Sequence, residues 1–413
     1  MKDKSNAKPN NYFFADKLAD ALGSIYRAPM TVITAPPGYG TEIAVSQYML
    51  GTDAASVWIN VPKNAGREYF QNTSRRLFAE MGVLTEANVY GDPVFSPLPD
   101  CHAEINGFIH SLRRATKDSD GETALIINNF QHLPNSSDVY QFLRNIASCF
   151  VPNFRIVLLS THYLPVAADD ILSGAVKRIG KSVFCLDKEG ISRFFGSYGI
   201  ALTEHEKGEI LDFSEGWLAA LSELAMNALE NGFGGAIGAI AETGRRMNEY
   251  LMEAVWGELP EIARLFLSVV SCADSFGAKQ AEYMCLCAGV KIELKAILKL
   301  LEGRHILDLD EKGNYRMHGL LLSLAREEAK KLPSPVKEAA GRAVSGIETG
   351  GNLPDNPNIS LLTDREWDVL PLLREGKKYG EIGKCLYISE NTVKTLTQSI
   401  YRKLGINSKK ELA

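Results

Sequence analysis

Two stretches of this chain hold residue types at spacings that chemistry uses. The first is Ala35-Pro36-Pro37-Gly38-Tyr39-Gly40-Thr41-Glu42, which follows the apolar run Met30–Thr34 and precedes a helical stretch to Leu50. Strand, glycine loop and helix is the order that wraps backbone amides around a phosphate. A working loop places Lys and then Ser or Thr after its last glycine: the Lys reaches the β/γ-phosphates and the hydroxyl binds Mg²⁺. Here those positions hold Thr41 and Glu42. A cation is lost and an anion gained. At ~4 Å and an effective dielectric of ~20, each unit-charge pair is worth roughly 4 kcal/mol. The helix N-terminus offsets only part of that. The companion acidic position changes as well. Ala124-Leu125-Ile126-Ile127 reads as the apolar strand before a metal-binding Asp, but Asn128 and Asn129 follow it. A neutral amide is a poor Mg²⁺ anchor and cannot act as a general base. These residues predict a phosphate-loop scaffold that is not an enzyme, with no catalytic residue and no metal site.

The second stretch is Glu390–Leu404, bounded by Ser389 and Gly405 as helix caps. At about 100° per residue, Val393, Ile400 and Leu404 share one face, which suits a core. Asn391, Thr395, Gln398 and Arg402 cluster opposite, flanked by Thr392 and Lys394. Asn, Gln and Arg are the side chains that hydrogen-bond base edges in a major groove. Lys394 and Lys403 suit phosphate oxygens, which adds salt-dependent but sequence-blind affinity. A solvated face of a small helical domain would carry a similar stripe, so the order of residues around it matters.

The elements that must position these groups follow from pattern. Short apolar runs at Met30–Ala35, Ser56–Val61, Ala124–Asn128, Arg155–Ser160 and Ser182–Leu186 predict buried strands. Amphipathic stretches such as Tyr69–Met81 and Val139–Phe150 lie between most of them. That alternation predicts a parallel sheet covered on both faces. The expected fold class is an α/β P-loop-like parallel sheet domain, then a helical and winged-helix region, then a C-terminal all-α helix-turn-helix domain. The expected boundaries are 12–187 for the P-loop-like domain, 188–247 for a helical domain and 248–332 for a winged-helix-like domain. A linker, 333–360, and the helix-turn-helix domain, 361–413, complete the chain. Trp217–Leu229 predicts one helix of the middle region. Arg304–Leu309 and Asn314–Met317 predict a hairpin across Asp310-Glu311-Lys312-Gly313. The linker is marked by Pro333, Pro335, Pro354, Pro357 and Gly350-Gly351. Thr363-x-x-Glu366 predicts a capping box that opens the first C-terminal helix, and Pro371 predicts a bend in it.

Composition bounds the rest. The 413 residues are 45% hydrophobic and 23% charged, with net charge -5. That excludes disordered, collagenous and coiled-coil chains. The charge is unevenly placed: residues 361–413 carry ten Lys/Arg and seven Asp/Glu, so the remainder is at -8. Seven scattered cysteines predict no disulfide framework and a reducing cytoplasm. The polar start Met1–Asn11 lacks the apolar segment of a signal peptide, and no apolar run reaches the ~18 residues of a membrane span.

Several segments also resemble a known family. Ile33–Gly40, Leu125–His132, Arg155–Ser160 and Gly216–Leu229 resemble the nucleotide-binding half of MalT-like regulators of the LuxR family, bacterial STAND-class ATPases fused to a DNA-binding end. Tyr315-Arg316-Met317-His318-Gly319 is similar to the Met-His-Asp motif of such switches. By that resemblance His318 would approach the phosphates, and Gly319 departs from the Asp. The Arg that often follows the fourth strand is replaced by Thr161. Leu362-Thr363-x-Arg365-Glu366, Glu381-Ile382, Ile388–Lys394 and Ile400–Gly405 closely resemble the LuxR-type helix-turn-helix. The resemblance sets Glu390, Thr392, Val393 and Lys394 at the start of the recognition helix, although the helical wheel puts Val393 in the core. Leu396 replaces a His often found there.

The resemblance implies a transcription regulator that binds double-stranded DNA as a homodimer; together with the helical wheel, the expected DNA contacts are Glu390, Asn391, Thr392, Lys394, Thr395, Gln398, Arg402 and Lys403. The N-terminal module would dock a protein partner or oligomerise, without hydrolysing ATP. Relatives of this kind carry a long helical-repeat sensor between the two parts, where this chain has about 28 residues. No cofactor is expected. A switch that still binds ATP or ADP through Gly38, Gly40, Thr41 and His318 is one alternative. An oligomerisation adaptor that does not bind DNA is another. The location expected is the cytoplasm, with no membrane partner.

Overall fold

A computed structural model describes residues 16–63, 121–133, 137–164, 176–231, 237–333 and 362–406, apart from 53, 150 and 375, with parts of 65–79 and 109–116 and position 336. The linker expected at 333–360 lies almost wholly outside the described residues, and Tyr69–Met81 is described only in part. The chain forms two compact units, residues 1–247 with 303–305, and residues 248–302 with 306–413.

The first unit opens with α1 (Asp16–Gly23) and then builds a sheet from β1 (Met30–Thr34), β2 (Ala55–Asn60), β3 (Thr123–Asn128), β4 (Phe154–Ser160) and β5 (Val176–Gly180). The strands are parallel, in the order β2-β3-β4-β1-β5. Every residue of β1, β3 and β4 is buried, as central strands covered on both faces require. α2 (Thr41–Leu50) follows β1 directly. α3 (Ser137–Ser148) presents Tyr140, Phe142, Leu143 and Ile146 to one face of the sheet, where they join Met30, Val32, Ile127 and Ile156 in one core. Register matters for function: Thr34 lies beside Ser160 and Asn60 beside Asn128. The C-terminal ends of β1–β4 therefore meet at one edge, next to the glycine loop.

One strand differs from expectation. Ser182–Leu186 is not a strand: Lys181–Val183 forms a short 3-10 turn, and the sheet edge is β5 instead. Lys177 and Arg178 are exposed there. An edge strand needs only one buried face, so its charges hide it from a search for apolar runs. The apolar Leu186 serves a different core, with Ile191, Phe194, Phe195 and Leu221. That core belongs to α4 (Lys188–Ser197), α5 (Glu204–Ser214) and α6 (Leu218–Asn231), which are followed by α7 (Ile240–Ala254). α5 opens with a capping box: Thr203 N–H donates to Glu206 Oε2 at 2.7 Å, and Glu206 N–H to Thr203 Oγ1 at 3.3 Å. The boundary expected at 247/248 falls inside α7, where the two compact units also divide.

The second unit begins with α8 (Glu261–Val270), β6 (Ser275–Phe276), α9 (Ala278–Cys287) and α10 (Leu294–Gly303). β7 (Asp308–Leu309), β8 (Tyr315–Arg316) and α11 (Gly319–Ala329) follow. The three short strands form an antiparallel sheet in the order β6-β8-β7, and the expected hairpin is its β7–β8 pair. Asp310 Oδ1 closes the turn by accepting from Lys312 N–H and Asn314 N–H, both at 2.8 Å, and Gly313 takes φ 78°. This is a winged-helix arrangement. The head comprises α12 (Asp364–Arg374), α13 (Tyr379–Leu386) and α14 (Glu390–Leu404). α12 continues through Pro371. Val369, Leu370, Leu373, Ile382, Val393, Ile400 and Leu404 form the head core, and Leu286 of α9 belongs to the same cluster. The head is thus joined to the winged-helix body by side-chain packing.

Gly216 offers a test of the first unit. It has φ 75°, and a Cβ there would overlap the Leu186 carbonyl oxygen. Leu186 N–H in turn donates to Gly216 O at 3.0 Å. Gly216→Ala is expected to lower stability by about 3 kcal/mol or more in urea denaturation.

Candidate nucleic-acid interface

α14 is held by its caps. Ser389 Oγ accepts from Thr392 N–H at 3.1 Å, and Gly405 ends the helix at φ 67°. Val393, Thr397, Ile400 and Leu404 are buried, which settles Val393 into the core. Glu390, Asn391, Thr392, Lys394, Thr395, Gln398 and Arg402 are exposed. Asn391, Thr395, Gln398 and Arg402 lie within an arc of about 60° on the outer face. The hydroxyls differ from the amides in their freedom. Thr395 Oγ1 donates to Asn391 O at 3.0 Å, and Thr392 Oγ1 lies 2.8 Å from Ser389 Oγ. Thr395 therefore offers chiefly its methyl group. Asn391, Lys394, Gln398 and Arg402 have no side-chain partner among the described residues.

Lys403 has another task than the phosphate contact expected of it. Its Nζ lies 2.6 Å from Glu366 Oε2, and Glu366 is only 3% exposed. The same carboxylate oxygen accepts from Thr363 N–H at 2.6 Å and Thr363 Oγ1 at 2.9 Å. The predicted capping box thus becomes a buried node linking the start of the first head helix to the end of the third. Burial pushes the Glu366 pKa up, but hydrogen bonds from Lys403, Ser399 and Thr363 outweigh it and hold the group at about 2. Sequence reading found Thr363 and Glu366 as a local cap and missed their third partner, 37 residues away.

The turn before α14 is tight. Tyr387 takes φ 54°, and Ile388 N–H donates to Gly383 O at 2.9 Å. A Cβ on the buried Gly383 would lie 2.7 Å from Ile388 O, so glycine permits the close approach of α13 to the turn.

The glycine loop belongs to the first unit. Gly38 has φ 83°, and a Cβ there would lie 2.7 Å from Trp217 Cζ2. Gly38 O accepts from Ala219 N–H at 3.0 Å, so the loop is tied to the start of α6. Gly40 caps α2 at φ 72°. A cavity of about 370 Å³ remains beside the loop, lined among others by Gly40, Thr41, Glu42, Asn129, Ser160 and Ser222. Its inner edge is a chain of neutral amides. Asn128 Nδ2 donates to Asn60 Oδ1 at 3.0 Å, and Asn129 N–H to Asn128 Oδ1 at 2.9 Å. Gln131 Nε2 donates to Asn129 Oδ1 at 3.4 Å, and Thr161 N–H to Gln131 Oε1 at 3.2 Å. Sequence reading singled out Asn128 and Asn129 but missed Asn60, Gln131 and Trp217. The signal for Asn60 was its place at the end of an apolar strand, as for Asn128.

His318 belongs to the second unit. It is half-buried and caps α11, its Nδ1 accepting from Leu320 N–H at 3.3 Å. Among the described residues no group of three or more His, Cys, Asp or Glu side chains could hold a metal ion. No described helix is long and apolar enough to cross a membrane.

Comparison with known proteins agrees with this geometry. Residues 360–413 match the family model "Bacterial regulatory proteins, luxR family". The C-terminal head is a LuxR-type helix-turn-helix domain. Over 357 residues, 81% of the chain, the protein is 23% identical to the HTH-type transcriptional regulator MalT of Vibrio cholerae, of which the match covers 37%. The chain thus spans little more than a third of the length of that relative. Over 64 residues it is 41% identical to the probable csgAB operon transcriptional regulatory protein of Salmonella typhimurium, covering 15% of this chain and 30% of that one. Among solved structures, a Walker-type ATPase of Pyrococcus abyssi superposes with a TM-score of 0.55 at 14% identity, over 77% of this chain and 97% of that one. That likeness shows a shared P-loop ATPase fold.

Glu366 and Lys403 can be separated from Lys394 by experiment. The Glu366 pKa falls from an ordinary 4.5 to about 2, so its stabilisation is complete above pH 4.5 and is lost as pH falls through about 2. It is on the order of 3 kcal/mol. Glu366→Gln should remove it and flatten the acid limb of stability between those pH values, read by circular dichroism. Lys403→Met should destabilise the head without changing the salt dependence of DNA binding. Lys394→Gln should leave stability unchanged and lower the salt slope by about 0.9.

Proposed function

We propose that this protein is a DNA-binding transcription regulator that reads double-stranded DNA through α14. The observation that carries the reading is the exposed set Asn391, Gln398 and Arg402, without side-chain partners among the described residues, on a helix whose opposite face is buried. Asn391 and Gln398 suit adenine edges, Arg402 suits guanine, and the Thr395 methyl suits that of thymine. Lys394 neutralises phosphate, with Thr392 and Glu390 at the helix start. One recognition helix reads few base pairs, so the protein binds as a homodimer over two half-sites. The similarity to MalT regulators and the luxR-family match of the head support this reading. The protein works in the cytoplasm.

The phosphate loop binds no nucleotide and hydrolyses none. Thr41 and Glu42 stand where Lys and a Mg²⁺-binding hydroxyl would be needed, and the amides of Asn128 and Asn129 are engaged with Asn60 and Gln131. This donor set does not suit a magnesium nucleotide. The sheet module instead serves as a docking or oligomerisation body for a protein partner.

Two measurements test the reading. Fluorescence anisotropy with promoter DNA from the protein's own gene neighbourhood should show salt-dependent binding. Gln398→Ala should cost about 1–3 kcal/mol at one base position and relax discrimination there. Absence of DNA binding by the full chain at low salt would refute the regulator reading. Incubation with labelled ATP should give no turnover. ATP hydrolysis that disappears on mutating Gly40 would refute the inactive loop.

A further inference from the structure

The head is not alone in having helix-turn-helix form. α9 and α10 are joined by residues 288–293, and Gly289 takes φ 67° just past the end of α9. α13 and α14 are joined by residues 387–389, and Tyr387 takes φ 54° in the equivalent place. In each pair the second helix buries one face and exposes the other. Ile297, Leu298 and Leu301 are the buried residues of α10. Its exposed residues are Lys295, Ala296 and Lys299.

That exposed strip has a specific chemistry. Lys295 and Lys299 are one turn apart, about 6 Å between Cβ atoms, and point the same way. Neither has a side-chain partner among the described residues. Two acids border the strip: Glu302, half-buried with its carboxylate engaged by Tyr315, and the exposed Glu293 just before the helix. Ala296 between the lysines is small enough to let the helix backbone approach a surface closely. The adjoining wing is unlike this strip. Its tip sets Asp310 and Glu311 beside Lys312, so it carries no net positive charge.

The body that carries the strip also carries the reading head. Leu286 of α9 lies in the same hydrophobic cluster as Val369, Leu370 and Leu373 of α12, with Tyr283 packed against it. A duplex held by α14 is therefore held by the compact unit that also presents α10.

We propose that α10 is a second DNA-contacting helix, whose Lys295 and Lys299 neutralise backbone phosphates without reading sequence. The proposal rests on the regulator reading of the head. Its ligand is the phosphodiester backbone of double-stranded DNA, matched by two exposed ammonium groups without a side-chain partner among the described residues. It also answers the modest charge of the head, because phosphate contacts are then shared between two helices.

The test uses the full chain, a short duplex of mixed sequence and a salt series read by fluorescence anisotropy. Three proteins are compared: wild type, Lys295→Gln/Lys299→Gln, and Lys394→Gln/Arg402→Gln. Both lysines of α10 are exposed, so thermal melting of the first variant should match wild type. Its slope of log affinity against log salt should be shallower by about 1.8, two phosphates' worth. The head variant should also bind more weakly. A slope for the α10 variant equal to wild type overturns the proposal, while a weakened head variant in the same experiment keeps the regulator reading. A head variant equal to wild type refutes the regulator reading instead. Absence of binding by wild type at low salt overturns both.

Discussion

A polar group taken out of water must find a partner inside the protein, and this requirement organises both ends of the chain. In the head, Glu366 is removed from solvent at the junction of the first and third helices. It is tolerated because Lys403 and Thr363 satisfy it. Removing Lys403 leaves a buried charge uncompensated, which is far more costly than losing a surface ion pair. The orientation of α14 thus depends on a charge pair at its C-terminal end and on a serine cap at its start. With both ends fixed, the outward stripe is presented by a rigid helix.

The same requirement gives the phosphate loop its present form. An active site of this type holds charges apart until a ligand neutralises them. Here the strand ends carry amides, which are donor and acceptor at once and satisfy one another without a ligand. Asn60, Asn128, Asn129, Gln131 and the Thr161 amide form such a self-contained chain. Trp217 closes on Gly38 from the other side. The sheet beneath the loop is a buried core, and cores depend on shape and apolar area rather than on the chemistry at their rim.

Charge placement links the two halves. The acidic average of the chain argues against nucleic acid only while it is treated as uniform. Charge separates by element: amides and Glu42 at the loop, exposed lysines on α10, and Lys394 with Arg402 on α14. DNA affinity in such a protein rests on where cations are presented and on how many helices present them, not on net charge.

Much of this was legible in sequence. Local signals survive folding: apolar runs marked four of the five strands, caps marked α14, and helical periodicity put Val393 in the core. The substitutions at Thr41, Glu42, Asn128 and Asn129 were equally plain, because they are statements about residue type. What escaped was non-local. The edge strand Val176–Gly180 carries charges that only its position at the rim of the sheet makes acceptable. Lys403 resembled a phosphate contact until the fold brought Glu366 to it, and Asn60 joined Asn128 only through strand register. A sequence records what each residue can do with its neighbours along the chain. Which of its possible partners lies within hydrogen-bond reach is decided by tertiary packing, because that reach is about 3 Å while the partners lie tens of residues apart.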